Sequence, residues 1–252
     1  DTPDFPLQKQ GHGSLVETPS GEWYYASLTG RPWNHDTESS WDPRGWCTLG
    51  RETSIQKVEW DDEGWPRIVG GHGGQLEVEA PRDAIPTDAP TDHSRCDDFS
   101  GTTLDAEWNT LRVPFTDEMG QCGGGSLRLI GRRSLASTMD TSMVASRWQA
   151  FFFDAETKVK FEPWNYYNDK HWAWTFITFD EVRQKRVIEI AENNRGQYTS
   201  YLKDQAIVIP DDVEYVWFKT LVRKSFYQYA YSFNGVNWSV IDVKLDAAVL
   251  SD

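Results

Sequence analysis

Two stretches hold the side chains best suited to chemistry. In Gly11-His12-Gly13 a histidine stands between two glycines. Glycines let the backbone approach a pocket closely, and an imidazole there can ligate a metal or hydrogen-bond a ligand. The plainer reading of His12 is a satisfied structural residue. In Cys47-Thr48-Leu49-Gly50-Arg51-Glu52-Thr53 an arginine lies where a long loop ends and a strand begins. Its planar fork suits paired hydrogen bonds to neighbouring hydroxyls. An ion pair of Arg51 with Glu52, or with the Asp62/Glu63 cluster, is equally open.

Other chemistry is not signalled. There is no Walker loop, no dinucleotide GxGxxG, no HExxH and no GxSxG. Gly70-Gly71-His72-Gly73-Gly74 lacks a strand-to-helix setting and reads as a flexible connection. Asn237-Trp238-Ser239 fits a glycosylation sequon but falls in an expected strand. The cysteines, Cys47, Cys96 and Cys122, have neither CxxC spacing nor clustered histidines, so they read as reduced and structural rather than as a zinc site.

Composition narrows the function classes. The 252 residues include 25 basic and 39 acidic side chains, a formal net charge of −14. Such a chain lacks the clustered cations that nucleic acid or anionic lipid would demand. No run of about 18 apolar residues could form a membrane-spanning helix. The chain carries 13 Trp, 10 Tyr and 12 Phe at a mean hydropathy of −0.63. Aromatic rings in that number suit either a dense β core or sugar recognition, where indole packs on the C–H face of a pyranose.

The elements that would position these groups have period two. Glu22 to Leu28, Ser54 to Trp60 and Trp65 to Val69 read as strands joined by Gly-containing turns. Later, Thr157, Val159 and Phe161 alternate with lysines, and Trp172 to Phe179 is apolar on both faces. Val187 to Ala191 and Tyr215 to Arg223 read as strands too. The stripe Tyr227, Tyr229, Tyr231, Phe233 runs into Asn234-Gly235, a type I′ hairpin signal, and Trp238 and Val240 lie on the returning strand. Arg31 to Leu49 is long and rich in Trp, Pro and Asp, which favours a functional loop. Residues 80–95 hold three prolines among small polar residues and read as a semi-rigid linker. The preceding 79 residues are few for an isolated β domain, while 96–252 suffice for a sandwich.

Longer motifs carry a family resemblance. The segment from Gly11 through Trp23-Tyr24, then Gly30-Arg31-Pro32-Trp33, then Cys47 through Ile68 resembles the end of the propeller in glycoside hydrolase family 43, the β-xylosidases and α-L-arabinofuranosidases. Asp97-Asp98-Phe99, Glu107 to Pro114, Ser146-Arg147-Trp148-Gln149 and Tyr231 to Trp238 resemble the accessory sandwich of its two-domain members. The resemblance implies an all-β chain: the last part of a five-bladed β-propeller (1–79), a linker (80–95) and a concanavalin-like β-sandwich (96–252). It further implies an inverting exo-glycosidase acting on xylooligosaccharides or arabinoxylan, with one Asp as general base, a Glu as general acid and a second Asp tuning it.

All three acids belong to earlier blades in the family, so no catalytic residue is expected here and the 252-residue chain alone is expected to be inactive. Asp1 follows neither an initiator Met nor a signal peptide, which fits a piece of a longer polypeptide. By resemblance, Arg51 binds sugar hydroxyls, and His12 stands at the central cavity beside substrate and beside a calcium ion or its water shell. Two departures stand out: only Glu162-Pro163 separate Phe161 from Trp164, where the family has an extra strand, and the sandwich ends early at Asp252. The missing blades would come from the same or a second polypeptide. Sparse cysteines fit a cytoplasmic protein, with secretion as the alternative. A competing expectation is a non-catalytic carbohydrate-binding β-sandwich protein with a propeller remnant.

Overall fold

The computed structural model describes residues 2–33, 44–71, 73–86, 94–133, 139, 141–161, 175–194 and 197–250. Strands β1 (Gln8–Glu17), β2 (Trp23–Gly30), β3 (Glu52–Trp60) and β4 (Pro66–Ile68) pair in chain order as a four-stranded antiparallel meander. This is the topology of a propeller blade. Val58 and Gln56 are buried on one face of β3. A buried carboxamide must be satisfied, and Gln56 exchanges two hydrogen bonds with the backbone of Gln75: its Nε2 donates to the carbonyl at 3.1 Å, and the Gln75 N–H donates to Oε1 at 2.9 Å. That pair fastens the glycine-rich stretch against the sheet instead of leaving it a loose connection.

The second part begins with the hairpin β5 (Gly120–Gly123) and β6 (Ser126–Leu129). One sheet then has the order β14-β13-β12-β7, formed by β7 (Phe152–Val159), β12 (Val216–Arg223), β13 (Phe226–Ser232) and β14 (Ser239–Asp246). In the other, β9 (Lys185–Asn194) pairs with β8 (Thr175–Asp180), β10 (Gln197–Ser200) and β11 (Ile207–Val208). Val187 and Ile188 lie on opposite faces of β9 and are both fully buried, as is Ile190, which explains why the strand departs from a strict apolar–polar alternation. Ile188 and Ile190 meet Phe218, Val222, Tyr227 and Tyr229 in one apolar core between the sheets. The chain is all-β, a blade-like sheet followed by a sandwich.

Three local expectations change. The lysine-alternating strand starts earlier, at Phe152, because its register is set by β12, with Val159 opposite Val216. The segment before Thr175 falls outside the described residues, so only the second half of the Trp172–Phe179 strand is seen. Asn234-Gly235 does not make a two-residue type I′ turn, which needs positive φ at both positions. Only Gly235 has it, at 73°, while Asn234 Oδ1 accepts from the N–H groups of Val236 and Asn237 at 2.9 and 2.8 Å. The side chain of Asn234 thereby organises a wider turn between Ser232 and Ser239.

The Trp-rich segment between β2 and β3 joins the two parts. Trp33 and Trp46 pair through both backbone hydrogen bonds, at 2.9 and 2.8 Å. Trp33 is 3% exposed and belongs to the sandwich core, with Trp46 packed beside it. At least these two aromatics act in packing rather than in display to solvent; residues 34–43 lie outside the described part.

Candidate functional site at the sheet–sandwich cleft

Arg51 owes its position to a tight turn and to strand register. Gly50 N–H donates to the Cys47 carbonyl at 2.9 Å, and Gly50 has φ +70°, where a side chain would be strained. The chain then enters β3 with Glu52 opposite Thr29 and Thr53 opposite Leu28. Arg51 thus stands at the head of β3, in a cleft of about 590 Å³ walled by Leu28, Gly50, Arg51, Glu52, Thr53 and, from the sandwich, Arg147.

Glu52 is engaged by another cation. Arg31 Nε and Nη2 donate to its two carboxylate oxygens at 2.7 and 2.8 Å, and this bonding raises the Arg31 pKa. Asp61 Oδ1 accepts from the N–H groups of Glu63 and Trp65, and Asp61 Oδ2 from Arg67 Nε. Glu52 is thus compensated by Arg31, and the same walls carry the guanidiniums of Arg51 and Arg147.

His12 sits in an irregular strand. The β1–β2 register slips between Gln8 and Gly11 and again between Gly11 and Ser14. Lys9 and His12 have φ of 58° and 49°, left-handed values unusual for residues with a Cβ. Such positions gather at functional sites. Its neighbour Gly13 leaves room for the Tyr25 ring, which would lie 2.0 Å from a Cβ there and would have to move aside. Gly11 faces Leu28, which faces Thr53, so His12 and Arg51 share one end of one sheet. The histidine is exposed and does not wall the Arg51 cleft.

Among the described residues, no group of three or more His, Cys, Asp or Glu is arranged to hold a metal. Calcium takes six to eight oxygen ligands, and a single imidazole does not supply that sphere, so these residues do not by themselves fit a calcium cage. The carboxylates with displaced pKa values, Glu22, Asp61, Asp98 and Asp180, all shift down, in each case chiefly because a backbone N–H donates to them. A glycosidic general acid needs the opposite shift. A smaller hollow of about 310 Å³ lies between Lys160, Arg186 and Asp211–Glu214. Its charges pair locally, Lys160 with Glu214 and Lys185 with Asp211.

Sequence reasoning did not single out Arg31 or Arg147. The signal was available: both lie in stretches that carry the family resemblance, Gly30-Arg31-Pro32-Trp33 and Ser146-Arg147-Trp148-Gln149.

Comparison with known proteins agrees with this architecture. Residues 1–66 match glycosyl hydrolases family 43, and residues 96–252 match the β-xylosidase C-terminal concanavalin A-like domain. The chain is 43% identical to a β-xylosidase of Bacillus subtilis over 262 aligned positions, covering 99% of this chain and 48% of that protein. It is 41% identical to a putative β-xylosidase of Escherichia coli, with coverages of 99% and 48%. In structure it resembles the xylan β-1,4-xylosidase of Bacillus halodurans with a TM-score of 0.82 and 33% identity, over 99% of this chain and 48% of that one. The chain spans about half the length of these relatives. A blade-like sheet and a sandwich that match these two families in this order place the chain in glycoside hydrolase family 43.

Proposed function

We propose that this chain is the C-terminal part of an inverting exo-glycosidase that releases xylose from xylooligosaccharides, with arabinofuranosidase activity at the same site. The relatives named above are β-xylosidases, and a non-reducing end α-L-arabinofuranosidase of Bacteroides ovatus also matches, at 32% identity over 64% of this chain. The observation that carries the reading is the cleft at the sheet–sandwich junction with Arg51 at its wall. Arginine there offers paired donors to vicinal hydroxyls and positive potential for nearby carboxylates. The general acid, the general base and the tuning Asp come from preceding sequence, on the other blades of the propeller. His12 would serve the central cavity, where its imidazole could hydrogen-bond a sugar hydroxyl or a water of a cation, were one held by those blades. Exposed Val16, Ile55 and Trp60 on the four-stranded sheet suit contact with neighbouring blades.

The competing idea of a sugar-binding sandwich surface is weakened by what covers its aromatics. Lys158 Nζ lies 4.0 Å from the Tyr215 ring centroid and 5.1 Å from that of Trp217, and Lys219 Nζ lies 4.0 Å from that of Trp238. Ammonium groups occupy ring faces that a pyranose would use.

The test is hydrolysis of an aryl β-D-xyloside by the intact polypeptide and by the 252-residue chain. Turnover by the first alone is expected, with Arg51→Ala raising KM and lowering kcat. Unchanged kinetics in that variant would remove Arg51 from the site, and turnover by the 252-residue chain would place the acids within it.

A further inference from the structure

We propose that Asn234-Gly235, in the turn between β13 and β14, is a latent site of self-modification by deamidation. The hydroxyl of Ser232 holds that reaction off while the sandwich is folded. This chemistry is independent of sugar hydrolysis. An asparagine followed by glycine is open to it because glycine has no Cβ to shield the attacking nitrogen. Hydroxide from water removes the proton of the Gly235 N–H. The nitrogen then bonds to Asn234 Cγ, the Cγ–Nδ2 bond breaks, and Nδ2 takes a proton from water and leaves as ammonia. Water opens the resulting cyclic imide at either carbonyl, giving aspartate or isoaspartate at position 234.

The folded turn opposes each step. Ser232 is 1% exposed, and its hydroxyl spends its whole hydrogen-bonding capacity, one donor and two acceptor sites, on this dipeptide. Its Oγ accepts from Asn234 N–H at 3.3 Å and from Gly235 N–H at 3.0 Å, and it donates to Asn234 Oδ1 at 3.1 Å. The Gly235 amide proton therefore faces a buried hydroxyl rather than hydroxide in solvent. The lone pair left by its removal would lie where the N–H bond pointed, toward Ser232 Oγ, so Asn234 Cγ is not in line with it. Attack needs the two reacting atoms aligned and about 3 to 3.5 Å apart. The carboxamide is fixed as well, because Oδ1 also accepts from Val236 N–H at 2.9 Å and Asn237 N–H at 2.8 Å. Turning Cγ toward the nitrogen breaks bonds at both ends of the dipeptide.

The turn is backed by the sheet. Ser232 stands opposite Trp217 of β12, and a Cβ on Gly235 would lie 3.0 Å from Trp217 Cε2. Releasing the dipeptide thus requires this end of the β12–β13 pair to open. Cyclisation waits for that opening, and the folded-state rate is the open-chain rate multiplied by the fraction open. The product does not fit the same turn. Aspartate brings a negative charge in place of the neutral carboxamide, and isoaspartate lengthens the main chain by a methylene just where Ser232 and Val236 grip it. Deamidation at residue 234 therefore marks molecules whose sandwich has opened.

The experiment incubates the intact polypeptide in mildly alkaline buffer and follows deamidation of Asn234 by peptide mass spectrometry, with isoaspartate detected by methyltransferase labelling. Folded wild type should react about tenfold or more slowly than the urea-unfolded chain. Folded Ser232→Ala should react about fivefold or more faster than folded wild type, the equivalent of one lost hydrogen bond. Hydrogen-exchange protection along β12 should stay unchanged in that variant. Equal rates for folded and unfolded wild type would overturn the proposal. So would a Ser232→Ala rate matching wild type, or an acceleration accompanied by lost protection along β12, which would mark general loosening rather than release of a guard. Should Ser232→Ala fail to fold, Ser232→Cys keeps the volume with a weak hydrogen-bonding group, and the same outcomes decide.

Discussion

Arg31 holds Glu52 through two parallel donors, Nε at 2.7 Å and Nη2 at 2.8 Å. The same guanidinium lies over the Phe151 ring of the sandwich at 5.5 Å. One side chain thus ties the head of β3 to the neighbouring domain while compensating a carboxylate in the cleft wall. The pair is partly exposed, 45% and 34% by side chain, so its worth is that of a well-aligned surface pair plus a cation–π contact, about 1 kcal/mol. Arg31→Lys should lose most of this, because an ammonium cannot span both oxygens. Chemical denaturation at low and high salt would check it: the difference between wild type and Arg31→Lys should shrink as salt screens the pair.

Much of this arrangement was legible in the residues and part of it was not. Period-two alternation located β2, β3, β12 and β13 closely, because each buries one side of a sheet. β9, whose central Val187-Ile188-Glu189-Ile190-Ala191 also fits a helical turn, was readable as a strand only from its neighbours. The cleft was not legible. It joins residues 28, 50–53 and 147, and no local pattern reports which side chains meet after two domains pack. The pairing of Glu52 with Arg31 instead of its neighbour Arg51 was hidden for the same reason: adjacent residues in an extended segment point apart, whereas Arg31 returns to Glu52 across the β2–β3 pairing.

Glu22 predicts a specific acid sensitivity. Its carboxylate is held down to about 2 from the usual 4.5, first by the backbone N–H of Arg82 at 2.7 Å and then by Lys57 and Ser20. Lys57 also reaches Glu79, and Ser20 N–H donates to Asp83, so the stretch 79–83 is latched to the first sheet. A depressed carboxylate stabilises the fold above its unfolded pKa, and that contribution fades as pH falls from about 4.5 toward 2. Protection factors across 79–83, taken relative to the intrinsic exchange rate at each pH, should therefore fall over that window, while Glu22→Gln should show low protection already at neutral pH. Lys57 acts on the other side: its raised pKa gives stability below its usual 10.5 that is lost at higher pH. An acid profile in Glu22→Gln matching the wild type would remove Glu22 from the latch.

Gly13 predicts a steric coupling. A Cβ at this position would sit 2.0 to 2.1 Å from Cζ, Cε2 and Oη of Tyr25, so Gly13→Ala must displace the ring or the bulged strand. Overpacking of this kind costs about 1 to 3 kcal/mol. In a Tyr25→Ala background the obstacle is gone, and the added cost of Gly13→Ala should fall to a few tenths of a kcal/mol. Equal costs in the two backgrounds, measured by denaturant unfolding, would mean that the ring does not press on Gly13. The coupling also matters for His12, whose left-handed backbone lies beside this contact.

Trp33 predicts how the two parts unfold. Its indole is 3% exposed, is clustered with sandwich residues including Tyr227 and Tyr229, and donates from Nε1 to Thr48 Oγ1 at 3.1 Å. Its backbone meanwhile pairs with Trp46 within the segment between β2 and β3. Removing the ring leaves a cavity at the place where the first sheet and the sandwich share a core, a loss of about 3 to 5 kcal/mol. Trp33→Phe keeps most of the apolar area and sacrifices one hydrogen bond, about 1 kcal/mol. If the shared core couples the parts, wild-type protein should unfold in one transition, and Trp33→Ala should separate it into two, the first sheet melting earlier. Far-ultraviolet circular dichroism and tryptophan fluorescence should then report different midpoints for Trp33→Ala and the same midpoint for wild type and Trp33→Phe. A single, unshifted transition in Trp33→Ala would show that the two parts gain no cooperativity from this side chain, and that Arg31 and the cleft wall must hold them together without it.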